Sequence, residues 1–367
     1  TAGQTNQSSY SVAVGDSAGQ FQQSSNSVAV GSGAGKFSQG GSSVAIGISA
    51  GYSGQDNSAI AIGDSSGRLT QGTGSIAIGI SAGGNSQGQY SIALGYYSGN
   101  DNQGTNSIAL GTSAGQEYQN SGAVSIGLMA GQYFQQQNAI AIGESAGYTG
   151  QGSYGVAIGY LAGSNYQKNS SVAIGESAGT NNQFEYCVAI GSGAGFTGQG
   201  QNNGDPQGEG FSVAIGYQAG FQGQLQNSIA IGSNAGINGQ KSAAVAIGYQ
   251  AGSTNQGTQS VSIGFQAGFS NQGQNAVSIG SYTLGQTSQQ SGAISIGFQA
   301  GYTAQGFQNV AIGYQSGTSV QGAQSVAVGY RSGNFNQGIS GVSVGPFAGL
   351  QNQGQGGIAM GYQSGQY

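Results

Sequence analysis

The sequence predicts an all-β protein, a parallel β-roll or β-solenoid wound in 16-residue coils, about 22 of them. Three observations carry this reading. A nine-residue phrase returns, as SVAIGYQAG at 212–220, AVAIGYQAG at 244–252 and NVAIGYQSG at 309–317. The Gly that ends each such VAIG falls every 16 residues from Gly15 to Gly191, again from Gly216 to Gly280, and again from Gly297 to Gly361. Within each copy two branched apolar residues alternate around one small residue, which is the period-2 pattern of a strand.

The strand is the first element of each coil. Three positions before the Gly stands Val or Ile, as in Val12, Ile76, Val188 and Ile358. One position before it stands Val, Ile, Leu or Met, as in Val14, Leu94, Ile231 and Met360. Between them lies Ala or Ser without exception. We read the branched pair as facing the core and the small residue as facing away. Ala13, Ala29, Ala45, Ala230 and Ala246 then point out of the coil. An outward column restricted to such small side chains implies a close second surface, a trimer contact.

The corners follow. Four residues after the first Gly comes a second, as in Gly19, Gly35, Gly220 and Gly365. A Gly at a fixed place implies positive φ or a neighbour too close for a Cβ. Further on, every complete copy has a Gln, as in Gln23, Gln55, Gln135, Gln224, Gln289 and Gln353. Stacked coils turn this column into a structural ladder of amides that also satisfies backbone at the corner. Gly often follows it, as in Gln71-Gly72, a turn signal. One coil cannot bury its own apolar face, whereas stacked coils can. The chain therefore reads as a single continuous solenoid over residues 1–367. A loop insertion, GQNNGDPQGEGF at 200–211, interrupts it and contains Pro206. One extra residue in SYTLG (281–285) reads as a bulge.

Composition bounds the function. Charged residues make up 4% of the chain, against about 25% in an average domain, and Gly numbers 76. Regularly placed Val and Ile separate this from a disordered low-complexity chain. The net charge is −5, with five Lys and Arg in total, too few for a basic stripe that would neutralise phosphates. No nucleic-acid partner is expected. No apolar run approaches the ~18 residues of a membrane span, so no membrane insertion is expected of this segment. The lone Cys187 occupies a column of Ser, Ala, Gly or Asn and reads as a small wall residue. The chain opens at Thr1 without a Met and reads as a mature piece or a segment of something longer.

Catalytic chemistry lacks its parts. There is no His to act as base or metal ligand. Ser is abundant, but no base stands ready to activate it. The column after the first Gly holds Asp16, Asp64, Glu144 and Glu176, on coils 1, 4, 9 and 11 and never on neighbours. That spacing avoids stacked like charges and reads as solvent-facing charge. GSGAG at 31–35 and 191–195 lacks the Lys of a phosphate loop. We expect no enzyme, no catalytic or metal-binding residue and no cofactor.

The same column turns aromatic from coil 13. It holds Tyr217, Tyr249, Phe265, Phe298, Tyr314, Tyr330 and Tyr362, with Ser233, Ser281 and Pro346 between them. Exposed rings beside Gln or Asn offer stacking faces for sugars, or contact with other fibres.

The tandem units, among them NSVAVGSGAG (26–35), NSIALGTSAG (106–115) and NSIAIGSNAG (227–236), resemble the head repeats of YadA-like trimeric autotransporter adhesins. Long runs of this type also resemble fibre proteins of large DNA viruses. The second Gly and the Gln are stricter here than that pattern requires. The resemblance implies a left-handed parallel β-roll, three chains side by side and a surface role in adhesion. The expectation is an extracellular structural or adhesive fibre segment, a rod-like homotrimer at a cell, virion or fibre surface. Its partners would be its own copies and a host-surface glycan or protein. The alternative is a glycan- or surface-binding module that uses the aromatic row of coils 13–22. An ice-binding solenoid ranks last, because Thr is scattered rather than arrayed.

Overall fold

The structure, a computed structural model, describes residues 2–201, 210–283 and 288–366. Most of the insertion expected at 200–211, Pro206 included, lies outside the described residues, as do positions 284–285 of SYTLG. The chain divides into two compact units, Thr1–Asn182 and Gln183–Tyr367. Each is a parallel β-solenoid with 16 residues to the turn, built from three-residue strands and, among the described residues, no helix.

In the first unit eleven VAI-type strands, from Val12–Val14 to Val172–Ile174, form one parallel sheet. Register is strict: Ile76 faces Ile92, Ala77 faces Ala93 and Ile78 faces Leu94. A second sheet of seven strands runs from Thr5–Gln7 to Asp101–Gln103, Gln beside Gln. Single bridges carry it on through Glu117, Tyr133 and Thr149. The second unit repeats the main sheet with eleven strands, from Val188–Ile190 to Ile358–Met360. Val277 pairs with Ile294, so the extra residue of that coil is taken up outside the strand. Its other wall has two short two-stranded pieces, Thr254–Gln256 with Ser270–Gln272 and Ser319–Gln321 with Phe335–Gln337.

The facing of the strand is the reverse of the expectation. Ala29, Ala45, Ala230 and Ala246 are 0% exposed, and Ala13, in the first coil, is half-buried against the cluster that holds Ala29 and Ala45. They lie inside their own coil and cannot serve as a trimer contact. The branched residues are on the outside, with Ile46 38% and Leu94 39% exposed. The physical reason is the bore of the coil. A Cβ placed on Gly19 would stand 3.3 Å from the Ala13 Cβ across the interior. A bore that narrow takes methyl groups and hydroxyls, and branched side chains in it would be overpacked. Alternation shows which residues share a side; the width of the coil decides which side is in.

Both Gly columns have a cause. The second sits at φ +51° in Gly19, and a Cβ there would come 2.6 Å from Oε1 of Gln23. The first sits at φ +123° in Gly15, where a Cβ would meet the Gly31 carbonyl oxygen at 2.8 Å. One column makes room for the amide within a coil, and the other lets successive coils close on each other. Further corners use left-handed residues that do carry side chains, such as Ser17, Gln22 and Asn26, with φ of 56–59°.

Candidate interaction surfaces

The interior is a polar ladder. Gln23, Gln55, Gln135, Gln224 and Gln289 are buried, and Gln353 is half-buried. Each sends Nε2 back to the carbonyl of the first strand residue of its coil. Gln23 donates to Val12, Gln55 to Val44, Gln135 to Val124, Gln224 to Val213 and Gln353 to Val342, all at 2.9 Å; Gln289 donates to Val277 at 3.3 Å. Many also reach the next coil, as Gln55 Nε2 to Gln71 Oε1 at 3.0 Å and Gln135 Nε2 to Gln151 Oε1 at 3.1 Å. Buried amides need such partners, because an unmade bond costs more than a made one gains.

The choice between Ala and Ser in the strand belongs to this ladder, which column reading did not reveal. In coils with Ala, the amide oxygens of Gln23, Gln55 and Gln224 have no hydrogen-bond partner. In four of the five coils with Ser, the hydroxyl fills that role; in the fifth, Ser295 accepts from Gln289 and the Gln305 oxygen stays without a partner. Ser125 donates to Gln135 Oε1 at 2.7 Å, Ser262 to Gln272 at 2.7 Å and Ser343 to Gln353 at 2.6 Å. The signal in the sequence is a Ser ten residues before the Gln of the same coil. Nearby, the Cys187 thiol is buried with Sγ 3.6 Å from the Gln199 carbonyl, and burial pushes its pKa up to about 12. Little thiolate forms at neutral pH, so it is a poor nucleophile.

Outside, each unit presents two columns of Val, Ile, Leu or Met with no charged member. Val12, Val14, Leu94 and Leu110 are among the exposed ones in the first unit, and Ile215, Ile231 and Ile312 in the second. Residues within a column are paired in register along the ladder, and those not exposed are half-buried. This is an apolar sheet face of the kind that marks an association surface.

The second unit adds the aromatic row. Tyr217, Tyr249, Phe265, Phe298, Tyr314, Tyr330 and Tyr362 are all exposed. Ser233 separates Tyr217 from the rest; from Tyr249 onward the row is unbroken. Tyr249 stacks on Phe265 at 5.2 Å between ring centres, Phe298 on Tyr314 at 5.3 Å and Tyr314 on Tyr330 at 5.2 Å. Tyr282 and Phe347 fill the gaps left by Ser281 and Pro346, at 5.2 Å from Phe265 and 5.1 Å from Tyr330. Both meet their neighbours edge to face. Both sit one position later, on a left-handed residue, which is why a column-by-column reading missed them. The cue was the pairs Ser281-Tyr282 and Pro346-Phe347. Stacked rings turn their faces to one another, so the flat platform expected for sugars is partly occupied by the row itself. Beside it runs an outer amide ladder, with Gln266 donating to Gln250 at 2.7 Å and Gln315 to Gln299 at 2.8 Å.

Asp16, Asp64, Glu144 and Glu176 are exposed. Among the described residues no group of three His, Cys, Asp or Glu could hold a metal ion, and no helix is long and apolar enough to cross a membrane. One open groove of about 450 Å³ lies beside Ala304, Val320 and Ile339 in the second unit, lined by apolar and amide groups. Compared with known proteins, the chain matches no family model and no curated protein.

Proposed function

We propose that the chain is a segment of an extracellular structural or adhesive fibre that works as a homotrimer, with the Val/Ile face as the seam between copies. The observation that carries this is the open apolar face. Eleven strands per unit turn two branched side chains each outward, exposed at some coils and half-buried at the others. With roughly a third of each open, they offer on the order of 1,000 Å² per unit, beyond the ~800 Å² per partner of a standard interface. A second copy carries the same columns at the same strand spacing, so the face is complementary to itself. Closed cyclic assembly then leaves no apolar edge in water. The polar turns and the aromatic row stay outside for contact with a host-surface glycan or protein. The resemblance of the repeats to adhesin heads supports a cell or virion surface, and this reading gives the chain no catalytic role.

Native mass spectrometry tests it. The expected mass is that of three chains, and Ile231→Glu with Ile247→Glu lowers it to one. A wild-type chain that stays monomeric at all concentrations sinks the proposal. A second reading, a glycan-binding module on the aromatic row, is favoured by eight consecutive rings of which all but Phe347 are exposed. A glycan array with the Tyr314→Ser variant as control separates the two.

A further inference from the structure

Along the unbroken row the rings run Tyr249, Phe265, Tyr282, Phe298, Tyr314, Tyr330, Phe347, Tyr362. A phenylalanine separates each tyrosine from the next, except at one step. Tyr314 and Tyr330 are direct neighbours, 5.2 Å between ring centres and 6° from parallel. Each is 43% exposed. Their strands are held in register, Val310 opposite Val326 and Ile312 opposite Val328, so the two phenols face each other on a fixed backbone. Phe298 stacks on the far side of Tyr314, and Phe347 meets the far side of Tyr330.

We propose that Tyr314 and Tyr330 form a modification site, at which one-electron oxidation joins the two rings as dityrosine. A phenol gives up one electron and its proton to become a phenoxyl radical, whose spin lies partly on the ring carbons ortho to oxygen. Two such radicals couple through those carbons in a new C–C bond. The ortho hydrogen of each ring then moves as a proton to its own oxygen, which restores two phenols. The pair has lost two electrons and two protons. Hydrogen peroxide, acting through a haem peroxidase, accepts them and leaves as two waters.

The order of the row gives the selectivity. Phenylalanine is far harder to oxidise, so a radical on Tyr282 or Tyr362 has no phenol beside it in the row. A radical on Tyr314 has one held in contact, at an effective concentration no second molecule in dilute solution matches. The link spans consecutive coils and joins residues 16 positions apart, Tyr314 and Tyr330. Such closure restrains the unfolded chain as a disulfide does. This chain has no disulfide available for that purpose, since its one cysteine is buried. Among the described residues two other close tyrosine pairs exist, Tyr96 with Tyr97 and Tyr133 with Tyr148, and both meet nearly perpendicular, at 86° and 85°.

Dilute full-length chain treated with a haem peroxidase and hydrogen peroxide provides the test. Expected are blue dityrosine fluorescence, an intact mass lower by two hydrogen atoms, and one linked peptide joining 314 to 330. Tyr314→Phe and Tyr330→Phe keep the ring and the stack, so they fold, and each should lose the signal. Tyr282→Phe should keep it. A signal that survives in Tyr314→Phe, a link mapped to another tyrosine pair, links only between molecules, or no dityrosine in the wild type would each overturn the assignment.

Discussion

In the first unit the position after the strand glycine holds Asp16, Ile48, Asp64 and Glu144 among others; in the second it is aromatic at most coils. Turn to the interior and the units are alike. Ala77 and Ala246 are equally buried, and Gln135 and Gln224 bond the strand carbonyl at the same distance. Two such different outsides on one inside show what holds a coil together. The amide ladder, the narrow bore and the two Gly columns specify the fold, and the outer positions are free to take charge, branch or ring.

That contrast can be broken most severely from within. Ala230→Glu together with Ala246→Glu places two carboxylates in the bore, where an unpaired charge costs several kcal/mol. Loss of the cooperative β transition in circular dichroism is expected. The same two changes at Ser233 and Tyr249 should leave the melting curve nearly unmoved, and equal losses at both sites would contradict the inward facing. A milder break uses the ladder. Gln224→Leu removes bonds to Val213 and Ser228 and should lower stability by roughly 1–3 kcal/mol, whereas the exposed Gln222→Leu should change it little. Gln55→Leu in the first unit should match Gln224→Leu, and chemical denaturation of the three variants decides it. The gentlest change sharpens the comparison. Ala214→Ser and Ala45→Ser each supply a hydroxyl to an amide oxygen without a partner, on Gln224 and Gln55. Both should gain about 1 kcal/mol in the same assay, one in each unit.

Much of the fold was legible because 22 copies speak in unison. Period, strand, corner glycines and the Gln column each follow from residues that recur at one place. The facing of the strand was not legible, since Val12-Ala13-Val14 has the same alternation whichever side is buried. Its answer depends on how near Gly19 comes to Ala13, a distance set by corners that local pattern does not measure. The aromatic row was half legible: seven rings stand in one column, but Tyr282 and Phe347 reach it from the next residue along. The partner of Ser125, Ser262 and Ser343 lay ten positions away, in a different column.

The seating of each strand glycine on the carbonyl of the following coil bears on inheritance. A tandem gene gains or loses copies when its strands misalign during replication. Within each unit successive coils offer one another the same contacts, Gly15 on Gly31 and Gly216 on Gly232 alike. Removing one whole copy rejoins two surfaces that already fit, and adding one inserts a copy that fits on both sides. Such a chain can change its length by slippage in steps of one coil, with no compensating mutation inside.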